Sequence, residues 1–260
     1  MAAPPATSRA PTQRFSDRVD YYVRYRPHYP PALVEHLAQA GGLRPDSIVA
    51  DIGAGTGFLS EVFLQFGCTV YGVEPNADMR RAAQSLLATY PGFHPVDGSA
   101  EATGLPAASV DWAVAGQAFH WFDADAARVE FRRILKSGGH AAIVWNERNA
   151  EGSDFMRAYD ALLHEYAPEY QVVGHRKIGA VAYERFFGHE RYRLDTFPLA
   201  QEFDREGLRG RLLSSSYTPA PNHPSYAPML TAMDALFAAH EQGGRITFTY
   251  VTKVYWGQPA

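Results

Sequence analysis

Apolar positions in this chain follow two rhythms that take turns along its length. Short runs rich in Val, Ile, Ala and Tyr fall at residues 48–52, 69–73, 93–97, 109–116 and 140–146, with the length and composition of buried strands. Between them, residues 58–66, a segment opening at the 75–79 turn and running to about 88, and residues 124–135 repeat apolar side chains at helical spacing. An earlier helix over 31–40 starts at Pro31 and stops at Gly41-Gly42, the order these residue types favour. Strand and helix alternating in this way predict an α/β domain, because parallel neighbours are joined only by a crossover. After residue 146 the rhythm loosens. Helices are expected over 155–166, 204–213 and 225–240, and alternating strands over 191–197 and 245–255.

Composition narrows the class. With 260 residues, 46% hydrophobic and 20% charged, the chain fits one domain with a large core. A net charge of −4 argues against a broad surface for nucleic acid, and no apolar run approaches the ~20 residues that span a bilayer. The single Cys68 excludes an internal disulfide and a multi-cysteine zinc site, and the ten histidines are scattered without ligand spacing. The expectation is a soluble, cytoplasmic chain, monomer or homodimer, without metal, nucleic-acid or membrane partner. Residues 1–13, rich in Ala and Pro, read as a disordered tail, with Arg9 and Arg14 leaving an organellar-targeting alternative open.

Candidate chemistry begins where the first strand ends. Residues 48–57 read I-V-A-D-I-G-A-G-T-G, so Asp51 is followed by Gly53, Ala54, Gly55 and Gly57 before a helix. Glycines allow positive φ and close backbone approach, and the helix start offers unpaired N–H groups. Two ligand classes use this geometry, dinucleotides and S-adenosylmethionine. The dinucleotide fingerprint needs a small sixth residue, and here that position is Phe58. Glu74, at the tip of the second strand, has two acceptor oxygens for a ribose diol; a helix-capping acid ahead of Pro75 is the alternative. Met79 is placed either against an adenine face or in the core.

The spacing D-x-G-x-G-x-G resembles motif I of the class I S-adenosylmethionine-dependent methyltransferases. The string Q-A-F-H-W-F-D at 117–123, the K-S-G-G turn at 136–139 and the segment Y-V-R-Y-R-P-H-Y-P at 22–30 are similar to the type 11 small-molecule branch, which includes the trans-aconitate methyltransferases. That branch commonly has proline where Ser137 stands. The resemblance implies a Rossmann-like, seven-stranded, mostly parallel sheet with helices on both faces and an antiparallel last strand. It divides residues 14–260 into an N-terminal lid (14–31), a cofactor-binding half (32–146), a cap insertion (147–190) and closing strands and helices (191–260). The implied cofactor is S-adenosyl-L-methionine, with S-adenosyl-L-homocysteine as product.

The implied cofactor site comprises Tyr21, Arg26, Asp51, Gly53, Ala54, Gly55, Gly57, Glu74, Pro75, Met79, Asp97, Ser99, Ala100, Glu101 and Gln117. Arg26 is suited to grip the cofactor carboxylate. The implied acceptor pocket comprises Tyr22, Tyr25, Phe119, His120, Trp121 and Arg148, and Arg148, Arg176 and Arg185 are candidates to hold an acidic acceptor. His120 reads either as a base or as a bridge from strand end to helix start. The expected activity is methyl transfer to a small molecule, at oxygen or alternatively at nitrogen or carbon. A non-catalytic cofactor binder and a nicotinamide oxidoreductase remain as alternatives.

Overall fold

The computed structural model describes residues 23–171, 179–215 and 217–260. The tail, Tyr21, Tyr22 and Arg176 lie outside these residues. Helix α1 (Ala32–Gly41) leads into β1 (Ile48–Ile52), α2 (Phe58–Phe66), β2 (Thr69–Val73), α3 (Ala77–Leu86), β3 (Phe93–Val96) and β4 (Val110–Gly116). Then follow α4 (Ala124–Ile134), β5 (Leu135–Arg148), α5 (Asp154–Tyr166), α6 (Ala180–Phe187), β6 (Tyr192–Phe203), α7 (Arg205–Leu213), α8 (Tyr226–His240) and β7 (Ile246–Gly257).

The seven strands lie in the order β3-β2-β1-β4-β5-β7-β6. The first five are parallel, and β7 runs antiparallel to both β5 and β6. The seven-stranded, mostly parallel architecture expected from the sequence is the one present. Reversal of strand order between β1 and β4 opens a crevice at the carboxyl ends of the central strands, where ligands bind in such sheets.

Two strand boundaries differ from the sequence pattern. β6 runs on through Pro198 to Phe203, which a proline would forbid in a central strand; β6 is an edge strand, and so is β3, which holds Pro95. β5 begins at Leu135, before the K-S-G-G turn. Its register against β4 jumps from Val110↔Leu135 to Trp112↔His140, so the turn is accommodated as a bulge with Gly138 at φ 81°.

Helix starts follow local chemistry. Asn76 Oδ1 accepts the N–H groups of Asp78 and Met79, Asp123 Oδ1 those of Asp125 and Ala126, and Asp204 Oδ1 that of Gly207. One face of the sheet is covered by α1 and α2 around Trp112, Phe63 and Leu33, the other by α4 and α6 around Phe131, Phe186 and Trp145. A third core joins α5, α7 and α8 to the ends of β6 and β7 through Phe155, Tyr159, Leu208, Met233 and Phe248. Within residues 147–190, α6 turns its phenylalanines to the sheet, while α5 packs with α7 and α8 from later in the chain. No helix among the described residues is long and apolar enough to cross a membrane.

Candidate functional site

A cavity of about 310 Å³ lies at the carboxyl ends of β1, β2 and β4. Its floor is the turn from Gly53 to Thr56, its flanks are the Glu74–Asn76 and Ser99–Glu101 turns, and Arg26, Pro27 and Tyr29 close it from above. Gly53 makes the floor possible. Its φ is 71°, and a Cβ there would stand 2.7 Å from the Ala118 Cβ, so no other residue fits without movement. Gly57 has a different task from the one expected: it does not line the cavity, and its missing Cβ leaves room for Leu87 Cδ1, which would otherwise lie at 2.6 Å.

Two carboxylates dominate the site. Glu74 Oε2 accepts the Gly55 N–H at 2.9 Å and Oε1 accepts the Asn76 N–H at 2.9 Å. Each oxygen is held by one backbone donor and keeps lone-pair capacity for a ligand in the cavity that Glu74 lines. Burial pushes its pKa up against these hydrogen bonds and the nearby Arg80 charge. Asp51 is fully buried. Ser60 Oγ donates to its Oδ2 at 2.7 Å, while Oδ1 has no hydrogen-bond partner among the described residues and the residue borders the cavity. Burial, opposed by the Ser60 hydrogen bonds and assisted by the Glu74 charge, raises its pKa to about 7. An orphaned carboxylate oxygen on a cavity wall is a place for a ligand donor, most favourably a cation.

Other expected site residues divide cleanly. Arg26, Ala54, Gly55, Pro75, Met79, Ser99, Ala100, Glu101, Gln117 and Trp121 border the cavity. Gln117 does so from a left-handed backbone, φ 55°, held by its N–H to Val144 O and its Nε2 to Asn146 O; a non-glycine residue in that region is strained, and strain of this kind gathers at binding sites. Asp97 turns away, exposed and paired with Arg80 at 2.9 Å, because that guanidinium bridges it to the Glu74 carbonyl. Phe119 is core, packed on Tyr183 and Phe186. The His120 ring packs, tilted, against those of Trp121 and Trp145 and does not line the cavity. Tyr25 is buried against α7, where only the absent side chain of Gly210 admits its ring; a Cβ there would lie 2.2 Å from it. Arg148 does not line the cavity and sits among the rings of Tyr159, Tyr170 and Tyr217. Arg185 pairs with Asp125 on the surface, far from an acceptor role.

Several lining residues escaped the sequence reading. Tyr29 and Pro27 follow Arg26 in the lid, and Asn146 ends the core of β5, both predictable from position. Asn146 pins the lid by donating Nδ2 to His28 O at 3.2 Å while its Oδ1 accepts from Thr252 Oγ1 at 2.6 Å. Arg211 had no signal, since an arginine on an amphipathic helix is ordinarily a solvated residue.

A Rossmann-like sheet in the order 3-2-1-4-5-7-6, with acids at the ends of β1 and β2 around a glycine turn, defines the fold of the class I methyltransferases. Comparison with known proteins agrees: residues 50–143 match the methyltransferase domain family of type 11. An uncharacterised methyltransferase of Mycobacterium tuberculosis is 37% identical over 135 residues, covering 52% of this chain and 53% of its own. An uncharacterised methyltransferase of Schizosaccharomyces pombe is 32% identical over 136 residues, with the same shares. The chain thus spans about half the length of the curated relatives it matches. A solved structure from Anaeromyxobacter dehalogenans, provisionally described as a type II methyltransferase, superposes with a TM-score of 0.69 at 25% identity, over 90% of this chain and 98% of its own.

Proposed function

We propose that this protein transfers the methyl group of S-adenosyl-L-methionine to an oxygen of a small-molecule acceptor, as a member of the type 11 branch that includes the trans-aconitate methyltransferases. The observation that carries this reading is the pair of carboxylates: Glu74 with ligand-facing capacity on both oxygens, and Asp51 with an orphaned Oδ1. When bound, S-adenosyl-L-methionine supplies a methyl carbon on positive sulfur, to which an acceptor lone pair bonds as the carbon–sulfur pair is left on sulfur.

The residues present fit that cofactor. Glu74 would accept from the two ribose hydroxyls, Asp51 Oδ1 from the ammonium, and Arg26 would donate to the carboxylate. Met79 offers a buried, polarizable surface for the base. The chain's contribution to rate is alignment and exclusion of water, with Pro27 and Tyr29 held over the cavity by the lid contacts. No histidine is among the described residues that line the cavity, which suits a carboxylate oxygen that arrives deprotonated and needs no base. Phe58, first residue of α2, argues against the dinucleotide alternative.

Calorimetric titration with S-adenosyl-L-methionine, S-adenosyl-L-homocysteine and NADH tests the reading. Binding of the first two without NADH, followed by release of S-adenosyl-L-homocysteine in the presence of an oxygen acceptor, is the expected outcome. Binding of NADH alone, or of none of the three, overturns it. Cofactor binding without turnover on acids, alcohols or phenols would favour the non-catalytic binder.

A further inference from the structure

The cavity wall carries charges of both signs. Asp51 and Glu74 line it from the sheet, whereas Arg211 of the cap helix α7 brings to its wall a guanidinium that the cofactor reading does not use. Arg211 of α7 is 3% exposed and borders the cavity. Its Nε donates to Tyr250 Oη at 2.8 Å and its Nη1 to Ser215 Oγ at 3.1 Å, both neutral acceptors. Among the described residues no carboxylate lies within ion-pair distance of it. Arg148 donates to Tyr217 Oη at 2.9 Å and to Tyr170, and its nearest carboxylate is Asp160 at 3.7 Å. Asp160 is already engaged by the Tyr170 hydroxyl and by His164.

Of these two buried guanidiniums only Arg148 has a carboxylate within ion-pair distance among the described residues, and that one, Asp160, does not line the cavity. Burying a charge without a counterion is costly, and an arginine fork is the geometry that recognises a carboxylate. The tyrosines report the resulting field. Burial alone would raise the Tyr217 hydroxyl, yet Arg148 and Arg211 outweigh it and hold its pKa below the ordinary value. The hydroxyls around Arg211 orient and solvate its charge but do not neutralise it.

We infer that Arg211 is the specificity-determining residue for the acceptor: it reads a carboxylate on the molecule that receives the methyl group, while Arg26 serves the cofactor. This rests on the methyltransferase reading above. An acceptor carboxylate would supply the missing counter-charge at Arg211 and orient the acceptor in the cavity. Neutral analogues leave Arg211 buried and unpaired, and are rejected for that reason.

The test is calorimetric titration of protein saturated with S-adenosyl-L-homocysteine, using succinate, tricarballylate and phenylacetate and their matched amides. Wild type is expected to bind at least one acid about tenfold or more tighter than its amide, the effect of a charge-assisted pair, and Arg211→Gln to lose that preference with its S-adenosyl-L-homocysteine affinity intact. Equal or absent binding of acids and amides by wild type, an unchanged preference in R211Q, or loss of S-adenosyl-L-homocysteine binding in R211Q overturns the assignment. Should R211Q fail to fold, R211K keeps the charge without the fork and is expected to weaken acid binding about threefold or more; unchanged binding overturns it. Failure of wild type to bind S-adenosyl-L-homocysteine at all is a separate result and counts against the methyltransferase reading itself.

Discussion

Replacing Glu74 with alanine removes the acceptor that holds the Gly55 and Asn76 N–H groups and faces the cavity. Cofactor affinity is expected to fall by about 1.5–3 kcal/mol, the worth of hydrogen bonds to a charged group. Calorimetry measures this directly, and an unchanged affinity would remove Glu74 from the site. Asp51 makes a prediction in pH. Its folded-state pKa, about 7, lies above its ordinary 3.8, so the ligand-free protein holds a proton there that the unfolded chain releases. The stability this group contributes is complete below the ordinary value and is lost as pH rises through about 7, with a slope approaching about 1.4 kcal/mol per pH unit within that window. Asp51→Asn, nearly isosteric, should therefore be more stable than wild type at pH 8 in urea titrations without ligand, and the advantage should vanish near pH 4. Both acids were legible in the sequence because each sits at a strand tip beside a turn whose residues permit little else. Asp97 was not, because letters do not show that Arg80 would draw it outward. Arg211 was invisible for a related reason: burial of an arginine depends on helices that meet only in the fold.

At the scale of elements, the lid and α7 fit through a single missing side chain. Gly210 sits in mid-helix, where alanine would ordinarily add about 1 kcal/mol of stability. Here the added Cβ would enter the Tyr25 ring. Gly210→Ala is expected to loosen the arm that carries Arg26, Pro27 and Tyr29, weakening cofactor affinity roughly tenfold or more, an effect like that of other misplaced positioning elements. Faster proteolysis within residues 23–31 together with the affinity loss checks this; unchanged cleavage and affinity would show that the ring can shift at no cost. The strand-helix order up to residue 146 was readable because each element there is a buried strand or an amphipathic helix with its own cap. After it, the pattern is less legible because helices α5, α7 and α8 bury their apolar faces against one another, and their partners lie far apart in sequence.

For the whole molecule, ligand binding and stability are linked. A cofactor held only by the folded state adds RT ln(1 + [L]/Kd), about 2.7 kcal/mol at a hundredfold excess over Kd. For a chain of this size that corresponds to a rise in Tm of roughly 5–10 °C, which scanning calorimetry with S-adenosyl-L-homocysteine would register and which NADH should not reproduce. The parts of the molecule answer together because of β7. Its first half, Ile246, Phe248 and Tyr250, lies in the cap core, while Val254 and Trp256 lie in a sheet core and the strand is paired along its whole length with β6. One continuous segment is thus shared by the cap core and the sheet core. A cap exchanged with that of a relative could therefore not arrive as a cassette of helices alone; the transplant would have to carry both closing strands and keep the register of β7 against β5.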